Sequence, residues 1–548
     1  MKVSVLAMGK LFKYCIAAAF LITTCYYVNN RKQESIEASN FYSVERNTNN
    51  IESSTSASMD IIEADFNLGE KSFVTDLGNR VYYNVRGLIS VPKEEDKYPL
   101  VLIVHGRYNN SSNDTRFDKG FKYLVNYLAS CGYAVATLDI QGAYNSNFGN
   151  EDDNKKVRAM FPSFIEAFKN ANNGILDGFN VDLTGMIDLE NIALIGHSRG
   201  GETVVDIALE NEAVKSVISI APTLPDELNR KYPDVPISII VPELDGDVDG
   251  LDGFSLFDSI MLDENRTSSL DLVLLKNANH NWFNSMLIKN DALMLEDDEK
   301  IKNQITREEQ ENFLKEFSKD FLDSIFKDKT EGTLYDYSIS EPGSMYGLEV
   351  KTQIWRKKQN IILDYNNYSE TTYEGVEVTI LKEAISYEDD EIEGFVLPLQ
   401  NVTGFDYKNL INIKWRNRLG KVEIPIDNIN LKKYNTLALN LAIDSSDELN
   451  TKNEGQTFTV RLEDSKGNIS EVILGKDSTS LDYVEGGIIY TPYLETMKPL
   501  WSSYTVLSDI RIPLEVFKGV NLKKIIKITL VFNKNDSGSI MVNNIRLL

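Results

Sequence analysis

Residues 191–201 read Asn-Ile-Ala-Leu-Ile-Gly-His-Ser-Arg-Gly-Gly, and an amphipathic stretch, Glu202–Leu209, follows at once. Ile192–Ile195 is an apolar run of strand length, and Gly196-His197-Ser198-Arg199-Gly200 is a turn with a serine at its apex. G-x-S-x-G between a strand and a helix is the nucleophile-elbow pattern. Gly196 and Gly200 leave room around a serine held in a strained turn. The turn lifts the hydroxyl clear of the sheet at the helix N-terminus.

Strands alternate with helices on both sides of this turn, over residues 61–330. Val85–Val91 is an early strand, and Leu100–Val104 is a continuous apolar run, the mark of a strand covered on both faces. Phe121, Leu124, Val125 and Leu128 share one face of a helix over 117–130; Tyr133–Leu138 is the next strand, and a helix near 155–170 follows. Val214–Ile220, Ile237–Val241 and Leu270–Leu275 continue the series. A last helix opens on Thr306-Arg307-Glu308-Glu309, a capping-box pattern. The alternation predicts an α/β architecture: a mostly parallel sheet with helices on both faces.

Functional residues of such a sheet belong at the C-terminal ends of its strands. Ser198 follows Ile195, Asp245 and Asp247 follow Val241, and His280 follows Leu275. A serine hydroxyl is a weak nucleophile until a base accepts its proton. The chain has three histidines, His105, His197 and His280. His280 has the position of the base, and His105 and His197 read as structural, His197 with its side chain turned away from the site. Asp245, closer to the strand end than Asp247, is the first choice for the acid that orients the imidazole, with Asp247 second and Glu243 third. Backbone N–H groups of Arg199 and Arg107 are the expected oxyanion donors, with Gly106 allowing close approach. Glu202, one turn beyond Arg199, is expected to pair with Arg199 or Arg107 and brace the elbow. Asp245-Gly-Asp247-Val-Asp249-Gly250 starts like a calcium loop, but Leu256 stands where an EF-hand needs a carboxylate. No metal or cofactor is expected.

Val85-Arg-Gly-Leu-Ile-Ser-Val-Pro92, Tyr98-Pro-Leu-Val-Leu-Ile-Val-His-Gly-Arg107 and Gly196-His-Ser-Arg-Gly-Gly-Glu202 together resemble the α/β-hydrolase superfamily. More narrowly, they resemble secreted bacterial serine hydrolases of the cutinase-like and dienelactone-hydrolase branches. The order Ser…Asp…His is the order of that superfamily. The resemblance, over about residues 80–330, implies ester hydrolysis. It also implies an acid in a short Glu-x-Asp segment, which Glu243-Leu-Asp245 matches. The acidic run after Asp245 departs from the cutinase-like pattern.

The 548 residues carry a net charge of −25, which argues against nucleic-acid binding, and exceed what one ordinary core organises. Lys2, Lys10 and Lys13 precede an apolar run over Tyr14–Val28. Residues 1–28 therefore read as an export segment: a signal peptide, a lipoprotein signal with Cys25 lipidated, or an uncleaved membrane anchor. Residues 29–60, rich in Asn, Ser, Thr and Glu, read as a flexible tether. With Cys15 and Cys25 in the export segment, Cys131 is left alone, and it reads as a small buried hydrophobe rather than a reactive thiol.

Residues 331–345 read as a linker, and beyond them the apolar period becomes two. Ile411, Ile413 and Trp415, then Leu437, Leu439 and Leu441, then Phe458, Val460 and Leu462 alternate with polar residues. Many short strands of this kind over 346–548 predict a β-sandwich. The stretch from Ile510 to Ile545 resembles galactose-binding-like jelly rolls, found as carbohydrate-binding modules. Trp355, Trp415 and Trp501 read as core residues before they read as sugar platforms. The first functional reading is an exported hydrolase of carboxylic esters, including polysaccharide- or polymer-linked ones. A surface carbohydrate-binding protein with an idle hydrolase domain and a serine peptidase on the same fold are the alternatives.

Overall fold

A computed structural model describes residues 41–45, 48–53, 58–108, 115–145, 152–225, 230–382, 409–426, 429–475, 477–493 and 496–548. The export segment 1–28, most of the tether, and residues 146–151 lie outside the described residues.

In chain order, the first twelve strands are β1 Phe41–Glu45, β2 Asn49–Ile51, β3 Ile61–Val74, β4 Arg80–Pro92, β5 Tyr98–Val104, β6 Ala134–Leu138, β7 Ile187–His197, β8 Val214–Ile220, β9 Ile237–Pro242, β10 Leu270–Leu275, β11 Pro342–Met345 and β12 Leu348–Trp355. All but β1 form one eleven-stranded sheet in the order β2-β11-β12-β10-β9-β8-β7-β5-β6-β4-β3. The centre, β10 to β6, is parallel; β3, β4 and β12 are antiparallel additions at the two sides. This is the α/β-hydrolase fold with a mixed sheet.

The double burial expected of Leu100–Val104 is visible residue by residue. Leu100, Leu102 and Val104 enter the core on one face of the sheet, and Val101 and Ile103 the core on the other. The first face is covered by helices α2 Asp153–Asn172, α3 Arg199–Glu210 and α4 Gly253–Met261, through Met160, Phe164, Val204 and Phe257. The second is covered by α1 Lys122–Ser130 and α5 Arg307–Phe326, through Leu124, Leu128, Phe313 and Phe317. Helix α5 carries the expected capping box of Thr306 and Glu309.

The second lobe is a sandwich of two six-stranded sheets. One has the order β1-β20-β19-β24-β17-β14, with β20 Ile469–Leu474, β19 Phe458–Asp464, β24 Ile525–Phe532, β17 Gly420–Pro425 and β14 Thr372–Glu374. The other runs β15-β16-β25-β18-β23, with β13 also on β25; the ranges are β13 Asn360–Asp364, β15 Val376–Lys382, β16 Asn409–Trp415, β18 Thr436–Ile443, β23 Ser508–Pro513 and β25 Gly538–Leu547. A separate hairpin joins β21 Ile488–Tyr493 to β22 Thr496–Trp501. The alternating residues read from the sequence meet between the two sheets. Trp415 is stacked on Phe532 inside this core, Trp355 packs against the first lobe, and Trp501 is buried.

The described boundaries differ from the expected ones. Residues 342–345, inside the expected linker, form β11, and 348–355, assigned to the sandwich, form β12 beside β10. An open sheet edge offers unpaired backbone groups, and β12 covers the edge of β10. Within the expected tether, β2 pairs with β11 and β1 with β20 of the sandwich. The side chains of β1 are all exposed, so the backbone ladder holds it and its composition gives no apolar signal. The lobes also share buried polar contacts. Asp509 accepts from Ile354 N–H (2.9 Å) and from Arg546 (2.6 Å), and Arg356 pairs with Asp271 (3.0 Å).

Candidate active site

Ser198 sits between β7 and α3 with φ 58° and ψ −127°, a conformation that costs a non-glycine residue of order 1–3 kcal/mol. Its N–H donates to the Ile220 carbonyl at 2.9 Å, which fixes the turn to β8. The two flanking glycines are sterically required. A Cβ on Gly196 would lie 2.1 Å from the Gly200 carbonyl oxygen, and one on Gly200 would lie 2.5 Å from that of Val104.

His280 and Asp245 form a buried pair. The Asp245 Oδ2 accepts from His280 Nδ1 at 2.9 Å, while Oδ1 accepts the N–H groups of Asp247 (3.0 Å) and Val248 (2.6 Å). Asp245 is 2% exposed and His280 fully buried. The other acid candidates face elsewhere. Glu243 is held by Lys276 at 2.7 Å and by Asn277 N–H at 3.0 Å. The half-exposed Asp247 places Oδ2 3.5 Å from Nε2, on the opposite edge of the ring from Asp245. His280 Nε2 has no hydrogen-bond partner among the described residues. Burial works against the charged imidazole, but Asp245, Asp247 and Asp291 outweigh it and push His280 up to about 9.

Asp291, which the sequence analysis passed over, joins the acid and base loops. Its carboxylate accepts Gly246 N–H (3.0 Å), His280 N–H (3.0 Å) and Asn281 N–H (2.9 Å). The base loop is held from its other side by Gln310 of α5, which accepts from Asn279 N–H (3.1 Å) and donates to the Asn279 carbonyl (2.7 Å).

The two remaining histidines are buried scaffolding. His197 Nε2–H donates to the His280 carbonyl at 3.0 Å, and Nδ1 accepts from Tyr108 Oη at 2.7 Å. Burial and the neighbouring His280 hold His197 far below its usual range, so it stays neutral. Although its ring does not point at Ser198's hydroxyl in the expected scheme, it contacts the base loop directly, with ring centroids 4.7 Å apart. Tyr108 Oη in turn accepts Gly106 N–H at 3.2 Å, so Gly106, Tyr108, His197 and His280 form one chain. His105 Nδ1 bonds the Gly106 carbonyl (2.8 Å), and its Nε2 accepts Ile140 N–H (3.1 Å).

These bonds fix the loop that carries the expected second oxyanion donor. Gly106 is pressed against the elbow: a Cβ there would lie 2.6 Å from that of Ser198. The N–H of Arg199 opens α3, where no earlier helical carbonyl can accept it. The N–H of Arg107 follows directly on the fixed Gly106. The Arg107 side chain pairs with Asp153 at 3.1 Å, not with Glu202. Glu202 lies 3.5 Å from Arg199 Nη1, and accepts from Thr223 (2.7 Å) and from Asn154, the latter at short range. Its burial, partly offset by Thr223 and Arg199, raises its carboxyl to about 7. Cys131 is half-buried, and burial holds its thiol up, away from thiolate chemistry. The described residues contain no cluster of three or more metal-ligating side chains, and no helix among them is long and apolar enough to cross a membrane.

Comparison with known proteins agrees with the fold. The α/β hydrolase fold family matches residues 99–239, from β5 into β9. A "Chlorophyllase type 0" of Chenopodium album is 26% identical over 128 residues, which cover 23% of this chain and 33% of that protein. The matched stretch thus spans about a third of that relative's length.

Proposed function

We propose that this chain is an exported serine hydrolase that cleaves carboxylic esters, with Ser198 as nucleophile, His280 as base and Asp245 as the acid that orients it. The observation that carries the reading is the pairing of a strained serine on the elbow with a buried Asp245–His280 bond at 2.9 Å. A histidine held in one orientation by a carboxylate is what a serine needs to lose its proton. The match to the α/β hydrolase fold family and the relative named a chlorophyllase support the same class. Export rests on the character of residues 1–28 alone.

In this mechanism Ser198 Oγ attacks the ester carbonyl carbon and its proton passes to His280 Nε2. The carbonyl oxygen becomes an oxyanion, received by the N–H groups of Arg199 and Arg107, each such donor lowering the barrier by about 3 kcal/mol. The tetrahedral species expels the alcohol, which takes the proton from Nε2, and Ser198 is left acylated. Water then repeats the sequence and frees the acid. Nε2 must begin unprotonated, so the carboxylates around His280 set the pH at which turnover starts.

Labelling of the full chain with a fluorophosphonate tests the nucleophile. Label on the native protein and none on Ser198→Ala is expected; equal labelling of both would overturn the reading. A panel of acyl-chain esters beside aminoacyl amides tests the substrate class, with ester turnover expected.

A further inference from the structure

The chain carries 82 acidic residues against 57 basic ones, yet the wall of one cavity reverses that balance. The cavity, about 670 Å³, lies where β12 crosses to β13 of the sandwich and has the size of a small-molecule site. Arg356, Lys357, Lys358 and Lys433 line it, and no aspartate or glutamate does. Arg356-Lys-Lys-Gln359 is the turn between the two strands, closed by Gln359 N–H donating to the Arg356 carbonyl at 3.2 Å. Lys433 ends a short 3-10 helix, Leu431–Lys433, that leads into β18.

Of these four cations only Arg356 is paired. It donates to Asp271 at 3.0 Å and to the Trp355 carbonyl at 2.7 Å, and its guanidinium lies 4.0 Å from the centre of the Tyr337 ring. Two of its five N–H donors are thereby used. The ammonium groups of Lys357, Lys358 and Lys433 bond none of the described residues, and all three side chains are exposed. Asp234, the acid beside Thr267 at the rim, is taken up by the Thr267 N–H (2.9 Å), the Thr267 hydroxyl (2.7 Å) and the Ser268 N–H (2.8 Å), and it pairs with no lysine among the described residues. Leu548 is also on the wall, and its carbonyl oxygen accepts Asn435 N–H at 2.7 Å. A terminal carboxylate there still leaves the three lysines in surplus. Gln359 shares the wall, and its Oε1 is buried with no hydrogen-bond partner among the described residues.

This cavity is not the ester site. Trp355 lies opposite Leu270, the first residue of β10, whereas His280 follows Leu275, its last. A strand of that length puts about 17 Å between its ends.

We propose that this cavity binds a phosphate-bearing ligand, held by Lys357 and Lys358 from the crossover and by Lys433 from the sandwich. A phosphate monoester carries close to two negative charges at neutral pH and three acceptor oxygens. Three unpaired ammonium groups and the spare N–H groups of Arg356 supply the charge-assisted donors for them. A lone carboxylate would occupy fewer of these donors. The Gln359 amide, which carries both donors and an acceptor, meets a phosphate oxygen in either protonation state. A long polyanion would have to lie along the acidic surface beyond the rim, so the ligand is a small molecule or a single headgroup. The site is separate from Ser198 and does not depend on the esterase reading.

The test is isothermal titration calorimetry of the full chain with pyrophosphate, glycerol 3-phosphate and acetate, beside co-sedimentation with phosphatidylglycerol and phosphatidylcholine vesicles. Pyrophosphate is expected to bind most tightly and acetate least, with affinity falling as salt is added. The triple variant Lys357→Gln, Lys358→Gln, Lys433→Gln changes only exposed positions, so it should melt with the wild type. Its affinity for pyrophosphate should fall about tenfold or more, tenfold being about 1.4 kcal/mol. Ser198→Ala and Lys523→Gln, an exposed lysine elsewhere on the sandwich, should bind as the wild type does. Glycerol 3-phosphate binding without vesicle capture supports the proposal with a soluble ligand. Capture by phosphatidylglycerol vesicles that the triple variant loses supports it with a lipid headgroup. Failure of every phosphate compound to bind, acetate binding as tightly as pyrophosphate, or undiminished binding by the triple variant would each overturn it.

Discussion

The carboxylate of Asp291 accepts the backbone N–H of His280 at 3.0 Å, and through the same oxygen it accepts Gly246 N–H. One side chain thereby sets the spacing between the loop that presents the candidate acid and the loop that presents the candidate base. Asp291→Ala leaves two buried N–H groups, those of Gly246 and His280, and the half-buried one of Asn281 unpaired, each buried one costing about 1–3 kcal/mol. Turnover should drop by roughly 10- to 100-fold, on the scale seen when supporting residues of a site are removed. Ester kinetics with a circular-dichroism check of folding measure this; unchanged kcat would show that the clip is dispensable.

The carboxylates around His280 predict an alkaline profile. With His280 near 9, Nε2 is protonated at neutral pH, and kcat/KM should rise with pH until about 9. Asp247→Asn removes the charge 3.5 Å from Nε2, so the midpoint should move to lower pH and the rate at pH 7 should increase. The group's pKa is raised on folding. Its stabilising contribution is therefore full below the unfolded value of about 6.5 and is lost as pH climbs to about 9. Thermal melting from pH 6 to 10 reads the second effect, and rate profiles of both proteins read the first.

His197 bonds the His280 backbone carbonyl and packs its ring against the imidazole, with no hydrogen bond to the ring itself. His197→Phe should lower kcat by roughly tenfold with little change in KM, as expected for a residue that positions the base. Tyr108→Phe removes the hydroxyl that bonds His197 Nδ1 and Gly106 N–H but leaves the His197 bond to the base loop, and should cost less. Equal losses in kcat and substrate affinity would instead place His197 against the substrate.

Glu202 is an acid whose burial favours the neutral form. Its folded pKa of about 7 exceeds the usual value near 4.5, so its contribution to stability is full below pH 4.5 and fades as pH rises through 7. Glu202→Gln should therefore melt with the wild type near pH 4.5 and above it at pH 8. A lower melting temperature at both values would mean that the ionised carboxylate is needed where it stands.

Gly200→Ala places a methyl 2.5 Å from the Val104 carbonyl oxygen, a backbone atom that cannot swing aside. Overpacking of this kind should cost about 3 kcal/mol in denaturant titrations. It should also displace the N–H of Arg199 and reduce fluorophosphonate labelling.

What the sequence made legible was whatever its periodicity or punctuation encoded. The elbow glycines, the double-faced strand at Leu100–Val104 and the alternating residues of the sandwich core all appear where the pattern put them. Ser198, Asp245 and His280 stand as candidates because strand ends are recognisable. Asp291 is not marked, because it opens a one-turn 3-10 helix, Asp291–Leu295, too short to show a period, and nothing in the local pattern distinguishes an aspartate that receives backbone N–H groups from two other loops. The strands at β1, β2 and β11 were missed for a related reason: edge pairing is made by backbone, and their side chains carry little apolar signal.

The pairing of β1 with β20, and of β12 with β10, carries a consequence for how the chain is made. Synthesis begins at the N-terminus, so the elbow, the acid loop and the base loop all emerge before the strand that seals the edge of β10. The partner of β1 emerges later still. A polypeptide stopped after residue 345 would hold every residue of the candidate triad and an uncovered sheet edge, a sticky half-product and not a smaller enzyme. Cutting the gene between the lobes is therefore the wrong way to ask what the sandwich contributes.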